Sequence, residues 1–207
     1  MYDIPYFKAA HPEDILEFMR AHPFALICGA DENRIPVATQ IPFLFEQRGD
    51  QLFLKGHFMK KQDHTNAFIQ NPDVLVVFSG AHSYVSASWY QNKQSASTWN
   101  YQSVQAAGKI RFRDKQFLLQ LLTQLTETFE EPGSPSLVQL MDPGYVEKMM
   151  QAIVAFEIEV LSVRHVFKLS QNRDRQSRAD IISQLNRQGG AAREMADAIE
   201  NNNKTNP

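Results

Sequence analysis

The run Val74-Leu75-Val76-Val77-Phe78 is the most strongly β-forming stretch of this sequence, and the rest of the fold is predicted outward from it. Because β-branched and aromatic side chains fit the pleated surface of a sheet, we expect this run to be a central strand. Further β-type segments lie on both sides, and we predict strands over residues 24–28, 36–45, 51–58, 83–90, 104–112 and 155–160. Short strands at such close spacing favour an antiparallel barrel over βαβ units.

Helical signals accompany these strands. Pro12 stands at the first position of an opening helix, with Glu13 and Asp14 where the helix dipole favours negative charge. Further helices are predicted over residues 60–70, 114–131 and 145–153, with two more after residue 178, separated by Gly189-Gly190. We therefore expect an α+β protein, mainly β with helices. Residues 1–175 are predicted to form the barrel domain with inserted helices, and residues 176–207 a helical extension with an asparagine-rich, frayed end.

The charge balance restricts the kinds of partner. Lysine and arginine number 21 against 23 aspartate and glutamate residues, which gives a net charge of -2. A chain without a broad basic field does not attract nucleic acid or an anionic membrane over a wide surface, so any anion site must be local. The N-terminus lacks a signal-peptide pattern, and no apolar stretch approaches the ~18 residues of a transmembrane helix. We expect a soluble, cytoplasmic protein.

The single cysteine, Cys28, excludes an intrachain disulfide and any cysteine-based zinc cage within one chain. It lies in an apolar run, which is typical of a small buried hydrophobic residue.

The densest cationic cluster contains Lys55, His57, Lys60, Lys61 and His64, between a predicted strand and the following helix. Lysine ammonium groups beside the N–H groups of a helix start would form a local phosphate site. A solvated corner that carries several lysines is the alternative. The two histidines are seven residues apart, or roughly 10 Å along a helix, which is too far for a zinc pair on adjacent turns. We predict no metal site, while axial haem ligation by one histidine stays open.

A second unusual segment combines aromatic and polar side chains over residues 83–90 and 98–101. It holds both tryptophans and three of the six tyrosines of the chain. Aromatic rings interleaved with hydroxyl and amide groups could support a flat heteroaromatic ligand. Trp and Tyr are also common in strands and at subunit interfaces, so a core or interface role is the alternative.

The last two predicted helices, joined by Gly189-Gly190, have the arrangement of a helix-turn-helix. The second of them carries Glu194, Asp197 and Glu200 against Arg193. A recognition helix with this charge balance would meet DNA phosphates poorly, so direct DNA binding is disfavoured.

Ordered motifs along most of the chain indicate a known family. The two most specific are Thr98-Trp99-Asn100-Tyr101 and Lys168-Leu169-Ser170-Gln171-Asn172. The others are Met1-Tyr2 with Pro5 and Phe7, Pro23-Phe24-Ala25, Pro36-Val37-Ala38 leading into Ile41-Pro42-Phe43, residues 54–57, and Tyr84-Val85-Ser86 with Trp89-Tyr90. Together they resemble the FMN-binding negative transcriptional regulator family, which includes the PaiB-type regulators of sporulation and protease synthesis.

The resemblance implies a split β-barrel of the flavin-reductase and pyridoxamine-phosphate-oxidase kind with C-terminal helices, and a homodimer with FMN between its subunits. The FMN-binding residues that it implies are Lys60, Lys61, His57, Thr39, Gln40, Trp99 and Asn100. The two lysines follow a hairpin strand, where basic side chains hold the flavin phosphate in such barrels. Thr39 and Gln40 would lie beside the isoalloxazine ring, and Trp99 and Asn100 are candidates for its edge, including from the second subunit.

The sequence departs from the family pattern at two places. After Gly56-His57 the family continues with an Ala-Arg-Ala-Asn-Pro-like run, whereas this chain reads Phe58-Met59-Lys60-Lys61-Gln62-Asp63-His64. Ser97 stands where the family has a proline. Lysine supplies a point charge without the bidentate fork of arginine, so these changes bear on flavin affinity more than on the fold.

Three functions are compatible with this reading. The leading hypothesis is an FMN-binding transcriptional regulator that acts through flavin binding or through a partner. The second is a flavin-dependent oxidoreductase on an unknown small molecule, in which FMN carries the hydride chemistry and His57 or Tyr84 serves as proton donor. The third is a haem-binding or haem-degrading split barrel with a histidine as axial ligand.

Overall fold

The computed structural model describes residues 2, 4–9 and 11–205, which form seven β-strands and six α-helices. The strands are β1 (Phe24–Ala30), β2 (Pro36–Pro42), β3 (Leu44–Arg48), β4 (Gln51–Met59), β5 (Asp73–Val85), β6 (Thr98–Phe112) and β7 (Ile153–Lys168). The helices are α1 (Pro12–Ala21), α2 (Asp63–Gln70), α3 (Lys115–Phe129), α4 (Pro143–Met150), α5 (Arg175–Gln188) and α6 (Gly190–Thr205). Short 3₁₀-helices lie at Pro5–Phe7, Ala87–Trp89 and Val138–Leu140.

One sheet contains all seven strands, in the order β2-β1-β5-β6-β7-β4-β3. The pairs β1–β2, β1–β5, β3–β4 and β4–β7 are antiparallel, as predicted. β2 and β3 end this order, yet only Phe43 separates them along the chain. Strand spacings of ~4.8 Å would hold the ends of a flat seven-stranded sheet ~29 Å apart, whereas two Cα–Cα steps cover at most ~7.6 Å. The sheet must therefore curl until the end of β2 and the start of β3 come together, which makes it a half-barrel.

Phe43 explains why the strand predicted over residues 36–45 is two strands. Its backbone N–H donates to the carbonyl oxygen of Pro23 at 2.9 Å, and its side chain is buried. Pro42, the last residue of β2, has no N–H with which to extend the ladder. The chain therefore leaves β2 at this point and begins β3.

The chain divides into two compact units. The second unit comprises residues 23–77 and 106–163. In its core Phe58 stacks on Phe156 with ring centroids 4.4 Å apart, and Phe43 lies edge-on to Phe156 at 6.2 Å. A second apolar cluster in this unit consists of Leu118, Leu121, Leu125, Met150 and Ala155.

The first unit comprises the described residues of 1–22, 78–105 and 164–207. Phe18 of α1 lies 5.0 Å from Phe167 of β7, measured between ring centroids. α5 and α6 contribute fully buried side chains, namely Ile181, Leu185, Met195, Ala196 and Ile199.

Two predicted helix starts agree with the structure. α1 begins at Pro12, and α3 begins after Asp114, whose Oδ1 accepts from the Phe117 N–H at 2.9 Å. The helix predicted over residues 60–70 begins later, at Asp63. Within the described residues, none of the helices combines the length and apolar character needed to span a membrane.

Three further predictions differ from the structure. The strand predicted over residues 83–90 ends at Val85, because Ser86 Oγ accepts from the Ser88 N–H at 3.2 Å and so favours a local turn over the ladder. The strand predicted over residues 104–112 begins earlier, at Thr98. Residues 201–203, predicted to fray, belong to α6, and Arg178 donates to Asn203 Oδ1 at 2.7 Å.

Candidate functional site

The first candidate region is the β4–α2 corner, defined here as residues 57–64. Lys60 and Lys61 are exposed immediately after β4. Lys60 donates from Nζ to the carbonyl oxygen of Gln151 and from its backbone N–H to that of Ala152, both at 2.9 Å. Among the described residues, Lys61 has no hydrogen-bond or ion-pair partner. The corner thus presents one lysine that is held beside the end of α4 and keeps further N–H donors on its ammonium group, and one lysine without a partner in the described part of the chain.

The start of α2 completes this corner. Its N-cap residue, Gln62, makes no side-chain capping bond. Asp63 accepts from the backbone N–H of His64 at 2.7 Å, and its carboxylate lies 3.2 Å from His64 Nδ1. Two ammonium groups next to a helix start without a side-chain cap fit a phosphate monoester such as the phosphate of FMN.

His57 lies on β4, opposite Ala155 of β7. Burial lowers the pKa of its imidazole below 6.5, so the ring is neutral at pH 7. A neutral imidazole can donate or accept a hydrogen bond, but it adds no positive charge to the corner.

Thr39 and Gln40 lie on β2, paired with Ile27 and Leu26 of β1. Thr39 is half-buried and Gln40 is exposed. Successive side chains of a strand point to opposite faces, so only one of these two residues can face a given ligand.

Lys55 was expected in the same cationic cluster, and the structure corrects this. Its side chain is buried, and its ammonium group donates to Gln124 Oε1 at 2.8 Å and lies 3.3 Å from Glu46 Oε2. Lys55 therefore belongs with its partners on β3 and α3 rather than with the corner, which leaves the two exposed lysines as the cations of the corner.

The second candidate region is the β6–β7 cluster, defined as Thr98, Asn100, Lys168 and Ser170. Asn100 is fully buried, and its Nδ2 donates to Ser170 Oγ at 2.8 Å. Lys168 Nζ donates to Thr98 Oγ1. Ser170 has a φ of 63°, a left-handed conformation that is uncommon for residues other than glycine. The two most specific sequence motifs thus join through paired side chains at one end of these strands.

The β6–β7 cluster contains an unsatisfied acceptor. Asn100 Oδ1 is buried and has no hydrogen-bond partner among the described residues. Buried polar atoms without a partner are rare, and an N–H donor of a ligand would satisfy this one. Burial, followed by the charge of Arg173, lowers the pKa of Lys168. The cluster therefore combines an acceptor in need of a donor with a partly desolvated lysine.

Trp99 lies beside this cluster but faces elsewhere. Its side chain is 54% exposed, and its ring centroid lies 6.1 Å from each of the rings of His82 and Tyr84. We call these three residues the aromatic patch. Trp99 and the buried Asn100 are neighbours on β6, and their side chains point to opposite faces of the sheet. They therefore cannot both face the same ligand from one strand.

The predicted site residues fall into two groups. Thr39, Gln40, His57, Lys60 and Lys61 belong to the second unit, and Trp99 and Asn100 to the first. Lys168 and Ser170 were not predicted as site residues, although the motif that contains them signalled their importance. Arg173, whose guanidinium lies 4.0 Å above the ring of Tyr90, was also missed, because no local pattern marks that contact. Within the described residues no group of three or more His, Cys, Asp or Glu side chains could hold a metal ion.

Comparison with known proteins identifies the family of this chain. Residues 1–162 match the family model described as "Putative FMN-binding domain". The chain is 34% identical over 202 residues to the "Protease synthase and sporulation protein PAI 2" of Bacillus subtilis, and the alignment covers 97% of each chain.

Solved structures show the same fold. The flavocytochrome Anf3 from Azotobacter vinelandii matches 81% of this chain and 72% of its own, with a TM-score of 0.57 and 16% identity. The FAD and haem binding protein from Mycobacterium smegmatis matches 77% of this chain and 72% of its own, with a TM-score of 0.56 and 17% identity. At these identities the likeness concerns the fold alone. The predicted fold class, a mainly β split barrel with C-terminal helices, is confirmed.

Proposed function

Because the chain belongs to the family of FMN-binding domains, whose model matches residues 1–162, we propose that it binds FMN through the β4–α2 corner and uses the bound flavin to regulate transcription. FMN is the cofactor of this protein. The observation that carries the proposed site is the pair of exposed lysines, Lys60 and Lys61, next to a helix start without a side-chain cap. In a chain of net charge -2 this is a local anion site of the size that one phosphate needs.

The remaining proposed contacts concern the flavin ring. His57 would offer a neutral imidazole, and either Thr39 or Gln40 would face the ring from β2. Either Asn100, through its Oδ1 acceptor, or Trp99, through its exposed aromatic face, would contact the edge of the ring from the second subunit of a dimer. Bound FMN would supply hydride transfer or redox sensing, while these side chains bind and orient it.

The test of the site compares FMN with riboflavin, which lacks the phosphate. In the double variant Lys60→Ala/Lys61→Ala we expect FMN to bind about 100-fold more weakly, because two charge-assisted hydrogen bonds are lost. Riboflavin affinity should change less than about 3-fold. Quenching of flavin fluorescence on titration gives both constants.

Lys109→Ala/Lys148→Ala, which removes two exposed lysines elsewhere, is the matched control and should leave both affinities unchanged. An equal loss for the two ligands in the Lys60/Lys61 variant would contradict the phosphate assignment.

The regulatory role rests on the resemblance to negative transcriptional regulators and on the 34% identity to the sporulation protein. The charge balance of the chain and of α6 disfavours direct operator binding. We propose that the flavin state of the protein is transmitted through a partner. We also propose that residues 1–175 form the flavin-binding domain and that residues 176–207 extend it.

Two other functions use the same fold. A flavin-dependent oxidoreductase would need a proton donor near the ring, for which His57 and Tyr84 are the candidates. A haem protein would need an axial ligand, and the neutral imidazole of His57 has the required protonation state. Absorption of the purified protein distinguishes the ligands, since bound flavin gives bands in the blue region and haem gives a Soret band.

A homodimer is part of the proposal. The aromatic patch of His82, Tyr84 and Trp99 is exposed on the surface of the first unit. Exposed Trp and Tyr side chains are enriched at subunit interfaces, so we assign the patch to the contact between two copies.

A further inference from the structure

A cavity in the second unit lies apart from the residues proposed to bind FMN. It has a volume of about 680 Å³ and lies between the β3–β4 hairpin and α3. Its lining includes the charged side chains of Arg48, Lys55 and Arg113 and the apolar side chains of Leu44 and Phe117. Small-molecule sites commonly have this size and combine apolar side chains with a few fixed polar groups.

The cations of this cavity are held in place by a buried carboxylate. Glu157 is 4% exposed and accepts from Arg48 Nη2 and from Arg113 Nη1, each at 3.0 Å. The guanidinium of Arg48 also binds both carboxylate oxygens of Glu46 at 2.9 Å. Arg48 is thus largely occupied by protein carboxylates, whereas Arg113 keeps N–H groups for another partner.

Arg113 keeps hydrogen-bond donors for a ligand. Its only side-chain hydrogen bond to the described residues is the one to Glu157, which leaves Nε and Nη2 as donors. Its guanidinium lies 4.9 Å above the ring of Phe117, which fixes the plane of the fork. A planar cation held in this way is suited to a carboxylate, which accepts two parallel N–H bonds.

Lys55 adds a second donor to the same cavity. Its side chain is about nine-tenths buried, with 10% exposed. An ammonium group has three N–H donors, and the described residues provide Lys55 with two partners, Gln124 and Glu46. Burial of a partly unsatisfied ammonium group is costly, and an anion in the cavity would remove that cost.

The charge balance limits the ligand to one negative charge. Arg48, Lys55 and Arg113 are joined to two carboxylates, so the network has one uncompensated positive charge. Glu127 also lines the cavity, and its Oε1 accepts from Gln139. A second negative charge on the ligand would be repelled by the carboxylate of Glu127.

We propose that this cavity binds a monocarboxylate with an aromatic or branched apolar body. The carboxylate accepts from Arg113 and Lys55, and the apolar body packs on Leu44 and Phe117. The site is independent of the flavin proposal, since none of the residues proposed to bind FMN lines it.

The probe for this proposal is 3-phenylpropionate, titrated into the isotope-labelled protein and followed by NMR. A ligand of this size should bind the wild-type chain with a Kd of about 1 mM. The cationic analogue 3-phenylpropylamine should bind at least about 10-fold more weakly, because it lacks the acceptor oxygens. No binding of 3-phenylpropionate up to about 20 mM, or equal binding of the amine, overturns the proposal.

Two variants locate the binding. Arg113→Gln removes the free donors, and Gln120→Trp fills the cavity from an exposed position on α3 without touching the charged network. Each should weaken 3-phenylpropionate at least about 10-fold. Arg111→Gln is the matched control, since Arg111 pairs with Glu159 on the protein surface and does not line the cavity.

If Arg113→Gln fails to fold, the test rests on Gln120→Trp alone. Unchanged binding of 3-phenylpropionate by Gln120→Trp overturns the proposal. Saturating FMN should leave the probe bound in the wild-type chain, and so should the Lys60→Ala/Lys61→Ala variant. Displacement of 3-phenylpropionate by FMN would show that the cavity is the flavin site and would overturn the claim of a separate one.

Discussion

Two histidines lie where the structure disfavours their charged form. His165 Nε2 accepts a hydrogen bond from the backbone N–H of Ala9 at 2.8 Å, which requires an unprotonated nitrogen. Burial, and then the charge of Lys8, lowers the pKa of His165, and burial lowers the pKa of His57. Both rings are neutral in the folded chain at pH 7.

A loss of stability at mildly acid pH follows from these two groups. Their pKa values are lower in the folded than in the unfolded state, so below pH 6.5 the unfolded chain binds more protons and is favoured. We expect the free energy of unfolding to be constant from pH 8 to about pH 7 and to fall from pH 6.5 toward 5.5. Urea unfolding at half-unit pH intervals measures this.

The double variant His57→Gln/His165→Gln should lose most of that pH dependence. The control His82→Gln changes an exposed ring and should keep it. A wild-type stability that is flat between pH 7 and 5.5 would contradict the interpretation.

At the residue scale, the sequence predicted which side chains carry charge but not which partners they bind. Lys55 and Lys60 lie five residues apart in one cationic cluster. In the structure Lys55 is bound to Gln124, and Lys60 to the carbonyl of Gln151. Both partners are distant in sequence, so no local pattern distinguishes the buried lysine from the exposed one.

Among the elements, α3 begins within one residue of the start predicted at residue 114. Asp114 is its N-cap, and Oδ1 accepts from the N–H of Phe117 at 2.9 Å. The same helix buries Leu118, Leu121 and Leu125 in the second unit. Apolar residues at helical spacing predicted this helix, and the structure adds the capping of its first turn by Asp114.

Removal of this cap should destabilise the protein. We expect Asp114→Ala to lower the free energy of unfolding by about 1 kcal/mol, since the first turn loses an acceptor for its backbone N–H. Asp114→Asn should recover most of the loss. Urea unfolding followed by circular dichroism measures both, with Glu131→Ala as a control at an exposed position after the helix. Losses of equal size in Asp114→Ala and Glu131→Ala would show that the cap has no specific effect.

The strand predicted over residues 83–90 is the element for which the prediction from sequence is partly wrong. Its alternating aromatic residues favour a strand, yet the structure has a 3₁₀-helix at Ala87–Trp89. Ser86 caps this turn through Ser88, and Ser97 Oγ accepts from the N–H of Ala87 at 2.9 Å. Side-chain hydroxyls that satisfy the backbone locally remove the reason to extend the ladder.

For the whole molecule, the first prediction concerns the oligomeric state, which we propose is a dimer. With the aromatic patch as its contact, light scattering should give about twice the chain mass of 23.7 kDa. Trp99→Lys should shift the protein to the monomer mass, because a charge in the centre of such an interface is strongly unfavourable. Tyr145→Lys, at another exposed aromatic side chain, should remain dimeric. A monomeric wild-type protein would contradict the assignment.

Weak interaction with DNA is the second expectation for the whole molecule. A net charge of -2 provides few phosphate contacts, so a fragment from upstream of the gene should show no complex tighter than about 10 µM at 150 mM salt. A gel shift at 50 and 200 mM salt measures this. A nanomolar complex that weakens steeply with salt would show that the protein binds DNA directly.

The sequence by itself determined the charge balance, most helices and strands, the hairpin and the family, because each of these is carried by local periodicity, capping or motifs. Only the tertiary structure decided how the sheet curls at Phe43 and which distant residues come into contact. Asn100 and Ser170 are 70 residues apart, as are Thr98 and Lys168. The sheet order places β6 beside β7, and that order depends on the packing of the whole sheet rather than on any local segment.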